Sequence, residues 1–382
     1  MPNLGEDDLI SRFFQEIGLF FLLCAQSLSR FGLNLFHTTW LTRIMKILFA
    51  LFILSFVTAS RAQTVTTPVV GGITLNLVQG SNFVGFALQP ILELQVAVTI
   101  HATQRDRIFL PAAAPVTDGQ YGSGVQATHV VEFIDSGVAE GMHSVISQTL
   151  ATGRELVLTS PVPAGVADGA SIRIWRLWTL GEVFGATNTA GLVGGTSASS
   201  ADLIMVPNGI GFVNYFYSTG GAQGVGWRLA SGGVVDQSGV RVPFGGGLVI
   251  QALGARALVL SGQVKTGKTR VTLQTGRNFL ANLCPVNAGG TAPSAAGLTL
   301  ATSGMQSFLT AGRVSALADL VLIWNGTGYN QYYYATGGLV GTGWRRIGAG
   351  STDQGAVPIP DGAFVIQRRG APTEVILNQG NY

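Results

Sequence analysis

The sequence predicts an all-β fold: two related β repeat units, sandwich-like or barrel-like, with a small β-domain inserted in the first and a signal helix at the N-terminus. Glycine fills 53 of 382 positions, roughly twice its ~7% share in average proteins, and charged residues reach 11% against the usual ~25%, a balance that suits short strands and tight turns. Apolar residues alternate in short runs and nowhere keep a capped helical spacing, which leaves little room for helix. A long aromatic segment occurs twice, the mark of a duplicated unit.

Taken in order, residues 1–44 read as an over-extended start. From Met45 the chain runs MKILFALFILSFVTASRAQ: Lys46 is a positive n-region, 47–58 an almost wholly apolar core, and Ser60-Arg61-Ala62 a small-x-small cleavage site before Gln63. That core is too short to span hydrocarbon ~30 Å thick, which takes about 20 helical residues. Residues 45–62 are therefore expected to be a secretory signal peptide cut between Ala62 and Gln63, and the product to be secreted or bound to the cell envelope. The rival is one long signal with two apolar stretches, 17–24 and 47–57. Beyond the leader one cysteine remains, Cys284, so no internal disulfide can form; its apolar flanks, NFLANLCPV, suit a small buried hydrophobe.

Residues 63–90 form a first strand segment. Its LNLVQGSNFVGFALQP is echoed by VTLQTGRNFLANLCP, sharing Leu77/Leu273, Gly80/Gly276 and Asn82-Phe83/Asn278-Phe279. Residues 178–270 hold the first aromatic repeat and 271–382 the second echo and repeat. The repeats align without a gap at a spacing of 117 residues, matching Asp202/Asp319, Asn208-Gly209/Asn325-Gly326, Tyr217/Tyr334, Trp227-Arg228/Trp344-Arg345 and Asp236-Gln237/Asp353-Gln354. In the second copy DLVLIW, YNQYYYA, GWRRIG, AFVIQRR and TEVILN read as strands, punctuated by Asn325-Gly326, a glycine-rich turn and Pro358/Pro360.

Residues 91–177, the insertion, are strand-like too: THVVEFIDSG, GMHSVISQ, RELVLTS and ASIRIWRLW lie between Gly, Asp and Pro turns. His101, His129 and His143 fall here near Glu132, Asp135 and Glu140, but without H-x-x-x-H or H-E-x-x-H spacing they read as solvent-facing residues and not as metal ligands.

One motif invites a false conclusion. Residues 262–269, GQVKTGKT, fit the phosphate-loop pattern G-x-x-x-x-G-K-[ST]. A phosphate loop needs a helix whose N-terminal amides face the phosphates. Here RVTLQTGRNF follows, a β-branched alternation, so the stretch reads as a hairpin turn bent at Gly267, and no nucleotide is expected. Nor is nucleic acid, since the net charge of +3 comes without a Lys/Arg run. The pairs Arg345-Arg346 and Arg368-Arg369 read as solvated strand edges.

No catalytic residue, metal or cofactor is expected. Asp202/Asp319 and Asp236/Asp353 recur in both copies, where an active site is needed once, and no His follows residue 143 to serve a nucleophile. The aromatic hairpins are the candidate ligand site: Tyr217, Trp227, Tyr334 and Trp344 could stack on sugar rings, or else pair across strands in the core. An outer-membrane barrel is a further reading, disfavoured because VILNQGNY lacks the alternation of a final lipid-facing strand.

The segments FIDSGVAEGMHSVIS, IRIWRLWTLGEVFG, YYYATGGLVGTGWRRIG and AFVIQRRG together resemble an uncharacterised exported β-rich family found mainly in bacteria of the verrucomicrobial group. The resemblance covers about 64–382 and implies export without a known activity. The expectation is a non-catalytic structural or binding protein of unknown ligand; the alternative is an extracellular carbohydrate-binding module or carbohydrate-active protein, with polysaccharide or envelope components as partners.

Overall fold

A computed structural model of the chain describes residues 70–382 apart from 125–126, 136, 210, 266, 284–297 and 378–382. The expected signal segment, its expected Ala62/Gln63 cleavage site and Cys284 lie outside the described residues. What is described is mostly β, in several antiparallel sheets and a small six-stranded barrel.

One five-stranded sheet is built from β2 (Gly80–Gly85), β10 (Leu203–Pro207), β11 (Phe212–Thr219), β12 (Val225–Leu229) and β13 (Gly247–Ala252), in the order β12-β11-β10-β13-β2. A three-stranded sheet, β1 (Val70–Leu77), β14 (Arg256–Val264) and β3 (Leu88–Gln89), covers one face. Leu75, Leu77, Leu258 and Leu260 from the cover meet Val84, Ile204, Tyr215, Trp227 and Ile250 from the larger sheet. Alternation along each strand sends these side chains inward, and the apolar area they remove from water holds the two layers together.

A second five-stranded sheet has the order β19-β18-β17-β20-β16, from β16 (Gly276–Ala281), β17 (Leu320–Trp324), β18 (Tyr329–Thr336), β19 (Thr342–Arg346) and β20 (Ala363–Arg368). Its cover is the pair β15 (Thr269–Leu273) and β21 (Thr373–Leu377). Registers correspond between the two sheets: Tyr217 faces Trp227 as Tyr334 faces Trp344, and Val249 faces Phe83 as Val365 faces Phe279.

The two large sheets meet through an aromatic seam. Phe83 and Phe279 stack with centroids 6.3 Å apart; Phe83 packs on Tyr329 at 5.4 Å, and Phe279 on Phe212 at 4.9 Å. The contact is reciprocal, as in a two-fold interface, because Tyr329 and Phe212 hold matching positions in their sheets. The backbones come very close here. A Cβ on Gly247 would lie 2.3 Å from the Ala363 Cβ, and one on Gly85 would lie 2.9 Å from the Ala281 Cβ. Glycine in one sheet faces alanine at the matching position of the other.

The six-stranded barrel closes in the order β4-β5-β8-β7-β6-β9 from β4 (Leu92–Ile100), β5 (Arg107–Phe109), β6 (His129–Phe133), β7 (His143–Leu150), β8 (Glu155–Leu158) and β9 (Ala170–Arg176). Register shifts between Leu92 and Leu94 and between Ile146 and Gln148 supply the bends that closure needs. Val98, Ile108, Val131, Phe133, Ile146, Leu156 and Ile172 fill the inside, so the barrel is a packed core without a channel.

Among the described residues, helix is confined to one short α-helix, α1 (Leu180–Phe184), and single 3₁₀ turns. Thr179 caps α1: its side chain accepts from the Glu182 amide, and Glu182 reaches back to the Thr179 amide. This T-x-x-E capping box buries Leu180 and Phe184 in the first core.

Candidate functional site

The residues shared by the two G-x-N-F segments and by the two aromatic segments have matching structural environments. Gly80 and Gly276 adopt φ of +100° and +101°, where a side chain would be strained. In the turns that follow, Asn82 accepts from the Val78 amide and Asn278 from the Gln274 amide, each at 2.8 Å, and both donate back to the turn carbonyls. The Phe after each Asn enters the seam. The G-x-N-F echo is thus a turn plus an anchor.

Asp202 and Asp319 are each 1% exposed. Asp202 accepts from the Val193 and Leu253 amides, both at 2.7 Å, and Asp319 from the Thr310 and Arg369 amides, both at 2.8 Å. Their cations come from non-matching positions: Arg256 lies 3.3 Å from Asp202, Arg368 2.5 Å from Asp319. A buried carboxylate needs a counter-charge more than it needs a particular donor position.

Arg228 and Arg345 are buried as well. Each guanidinium donates to three backbone carbonyls, those of Gln223, Trp227 and Val225 in one sheet and of Val340, Trp344 and Thr342 in the other. Asp236 and Asp353 complete the shells at 3.4 and 2.9 Å. Gly343 sits at φ +129°, and a Cβ there would lie 2.6 Å from Asp353 Oδ1. The expected solvated edge is therefore corrected for Arg345 and Arg368, which are spent inside the fold, whereas Arg346 is exposed. A planar fork of donors can be buried where every N–H finds a carbonyl.

Of the aromatic candidates, Trp227 (0% exposed) and Trp344 (2%) lie in the two sandwich cores. Tyr217 and Tyr334 are half-buried and stand edge-on to them at 5.4 and 5.6 Å. This is cross-strand pairing, and it leaves no Trp face for a sugar ring. Trp227 Nε1 donates to the Gly185 carbonyl at 2.8 Å, while Trp344 Nε1 has no partner among the described residues.

One buried grouping of ionisable side chains is one that sequence reasoning missed. Lys265, from the phosphate-loop-like stretch, is completely buried, with Nζ 2.5 Å from Oε1 of Glu132 on β6. Trp175 Nε1 donates to Glu132 Oε2 at 2.7 Å. Across the barrel wall, Glu132 is in register with Arg173 on β9 and His143 on β7. Phe244 packs on the His143 ring at 4.9 Å. Burial, and then the Lys265 charge, pull the His143 pKa down to about 4, against the opposing contacts with the Arg270 and Gly141 backbone. Burial also lowers the Lys265 pKa, while Glu132 works to keep it charged.

Two expectations are corrected here. His129 and Glu132 were to face solvent, yet every residue of β6 is buried: His129 packs inward on Tyr121 at 5.2 Å, and Glu132 points outward beneath Lys265. The odd spacing sends them to opposite faces, but both faces are covered. The stretch 262–269 was to be a hairpin turn. Gly267 does bend the chain at φ +87° and a strand follows from Thr269, but β14 pairs with β1 and β3 while β15 pairs with β21. It is a connector between two sheets, docked on the barrel through Lys268–Glu140 at 2.7 Å and the Arg270 amide on the Gly141 carbonyl at 2.7 Å.

Three clefts among the described residues are small. Those beside Trp178 and Phe244, beside Ile73 and Leu260, and beside Leu283 and Phe364 each have about 10 Å³ of room, enough for roughly one water molecule. Among the described residues no three His, Cys, Asp or Glu side chains converge as metal ligands would, and no helix is long and apolar enough to cross a membrane. No family model, curated protein or solved structure matches the chain.

Proposed function

We propose that the chain is a secreted or cell-envelope-associated structural or binding protein that works without catalysis, built from two copies of one β unit with the barrel of 91–177 inserted in the first. The observation that carries this reading is where the matched polar residues go. Asn82/Asn278, Asp202/Asp319 and Arg228/Arg345 are spent on backbone groups of their own sheets. Equal strand order, equal register and the reciprocal seam support the duplication. Export rests on the leader of 45–62 and on the resemblance to exported β-rich proteins.

Cell fractionation with N-terminal sequencing tests the proposal. The expected outcome is a product in the envelope or the medium that begins at Gln63. A cytoplasmic product that retains residues 1–44 would overturn it. For the carbohydrate alternative, Tyr217 and Tyr334 are the aromatic candidates that keep some surface; retention of the protein on polysaccharide, lost on Tyr217→Ala or Tyr334→Ala, would support it.

A further inference from the structure

Independently of that reading, we propose that Glu132 and Lys265 condense into an intramolecular amide that welds the barrel wall to the connector between β14 and β15. The two groups are already in place. Lys265 Nζ lies 2.5 Å from Glu132 Oε1, in direct contact, and the side chains are 0% and 1% exposed. A second bond, from Nζ to the Lys268 carbonyl at 2.8 Å, holds the amine in position.

The neighbours suit the chemistry. Trp175 Nε1 donates to Oε2 at 2.7 Å, so it is positioned to stabilise the negative charge that collects on that oxygen as the carboxyl carbon becomes tetrahedral. His143, the register partner of Glu132, keeps its Nδ1 sealed from solvent without a partner among the described residues, a base in the same dry pocket. On the other side of Glu132, Arg173 adds a positive charge that disfavours the ammonium form of Lys265.

The reaction balances without any co-reactant. A proton passes from the ammonium to the carboxylate, leaving an amine and a carboxylic acid. The amine lone pair attacks Cδ of Glu132, a second Nζ proton moves to the departing hydroxyl, the C–O bond breaks, the C–N bond forms and one water leaves. Two effects favour the product. Groups held in contact react as if at an effective concentration of about 10⁵ M or more. The amide also replaces two charges whose burial is costly.

Mass spectrometry of the purified, folded protein decides the matter. The wild-type chain is expected to be lighter than its sequence by the mass of one water, and its tryptic digest to contain a branched peptide joining Glu132 to Lys265. Lys265→Met and Glu132→Ala chains are expected at full mass whether or not they fold. A wild-type chain at full mass, with Lys265 open to acetylation after denaturation, would overturn the proposal. So would a missing water that maps to another position or persists in Lys265→Met.

Discussion

Replacing Gly247 by Ala tests the seam between the two large sheets. Gly247 is not in the left-handed region, so alanine is free of backbone strain there and would on its own stabilise by about 0.4–1 kcal/mol through the unfolded chain. Packing opposes this. The new Cβ would lie 2.3 Å from the Ala363 Cβ, 3.3 Å from the Val84 carbonyl oxygen and 3.4 Å from that of Leu280. Carbon atoms sit comfortably at about 3.5–4.0 Å, so the sheets must separate by more than an ångström or the strands must buckle. Either movement loosens the Phe83–Phe279 stack. Overpacking of this kind costs about 1–3 kcal/mol; less the gain of about 0.4–1 kcal/mol through the unfolded chain, we expect a net loss of about 1–2 kcal/mol. Urea unfolding should show it as a lower midpoint with an unchanged slope. Ala363→Gly should then rescue Gly247→Ala, because it moves the glycine to the matching position in the other sheet; a coupling of about 1 kcal/mol or more is expected between residues in direct contact. A Gly247→Ala protein as stable as wild type, or a loss that Ala363→Gly leaves untouched, would refute the reasoning.

The remaining predictions concern buried polar groups. Asp319→Ala should destabilise by about 3 kcal/mol or more, since it strands the Thr310 and Arg369 amides and the Arg368 guanidinium; Asp353→Ala, whose side chain is 63% exposed, should cost far less in the same thermal melts. Trp227→Phe should cost about 1 kcal/mol more than Trp344→Phe, because it orphans the Gly185 carbonyl whereas the Trp344 indole N–H has no such bond to lose among the described residues. For His143, the unfolded chain takes a proton near pH 6.5 and the folded one resists until about pH 4, so acid favours unfolding across that window. The stability lost should reach about 3 kcal/mol by pH 4 at 1.36 kcal/mol per unit. A His143→Phe protein should escape this part of the loss, and equal acid sensitivity in urea titrations of the two proteins would contradict the assignment.

Much of this architecture was legible in the residue pattern. DLVLIW, YNQYYYA, GWRRIG, AFVIQRR and TEVILN occupy the five strands β17 to β21, and THVVEFIDSG, GMHSVISQ, RELVLTS and ASIRIWRLW cover β6 to β9. The absence of a helix after Thr269 was readable from its β-branched alternation. The Thr179–Glu182 capping box was present in the sequence but passed unnoticed, because α1 is too short to display a helical period. The Glu132–Lys265 pair carried no signal at all. Its members lie in different segments of the chain, and a lysine inside a glycine-rich motif looks exposed.

The division follows from the range of each interaction. Strand positions, turn glycines and the inward face of each strand are set by neighbours along the chain, through side-chain alternation and the φ that glycine alone tolerates, and these were fixed before any folding partner was known. Which strands pair, which arginines are swallowed and which residues press across the seam depend on surfaces that meet only when distant segments pack. Alternation assigns a side chain to one face or the other, as it does for His129 and Glu132 on β6, but only the assembled fold decides that both of those faces are covered.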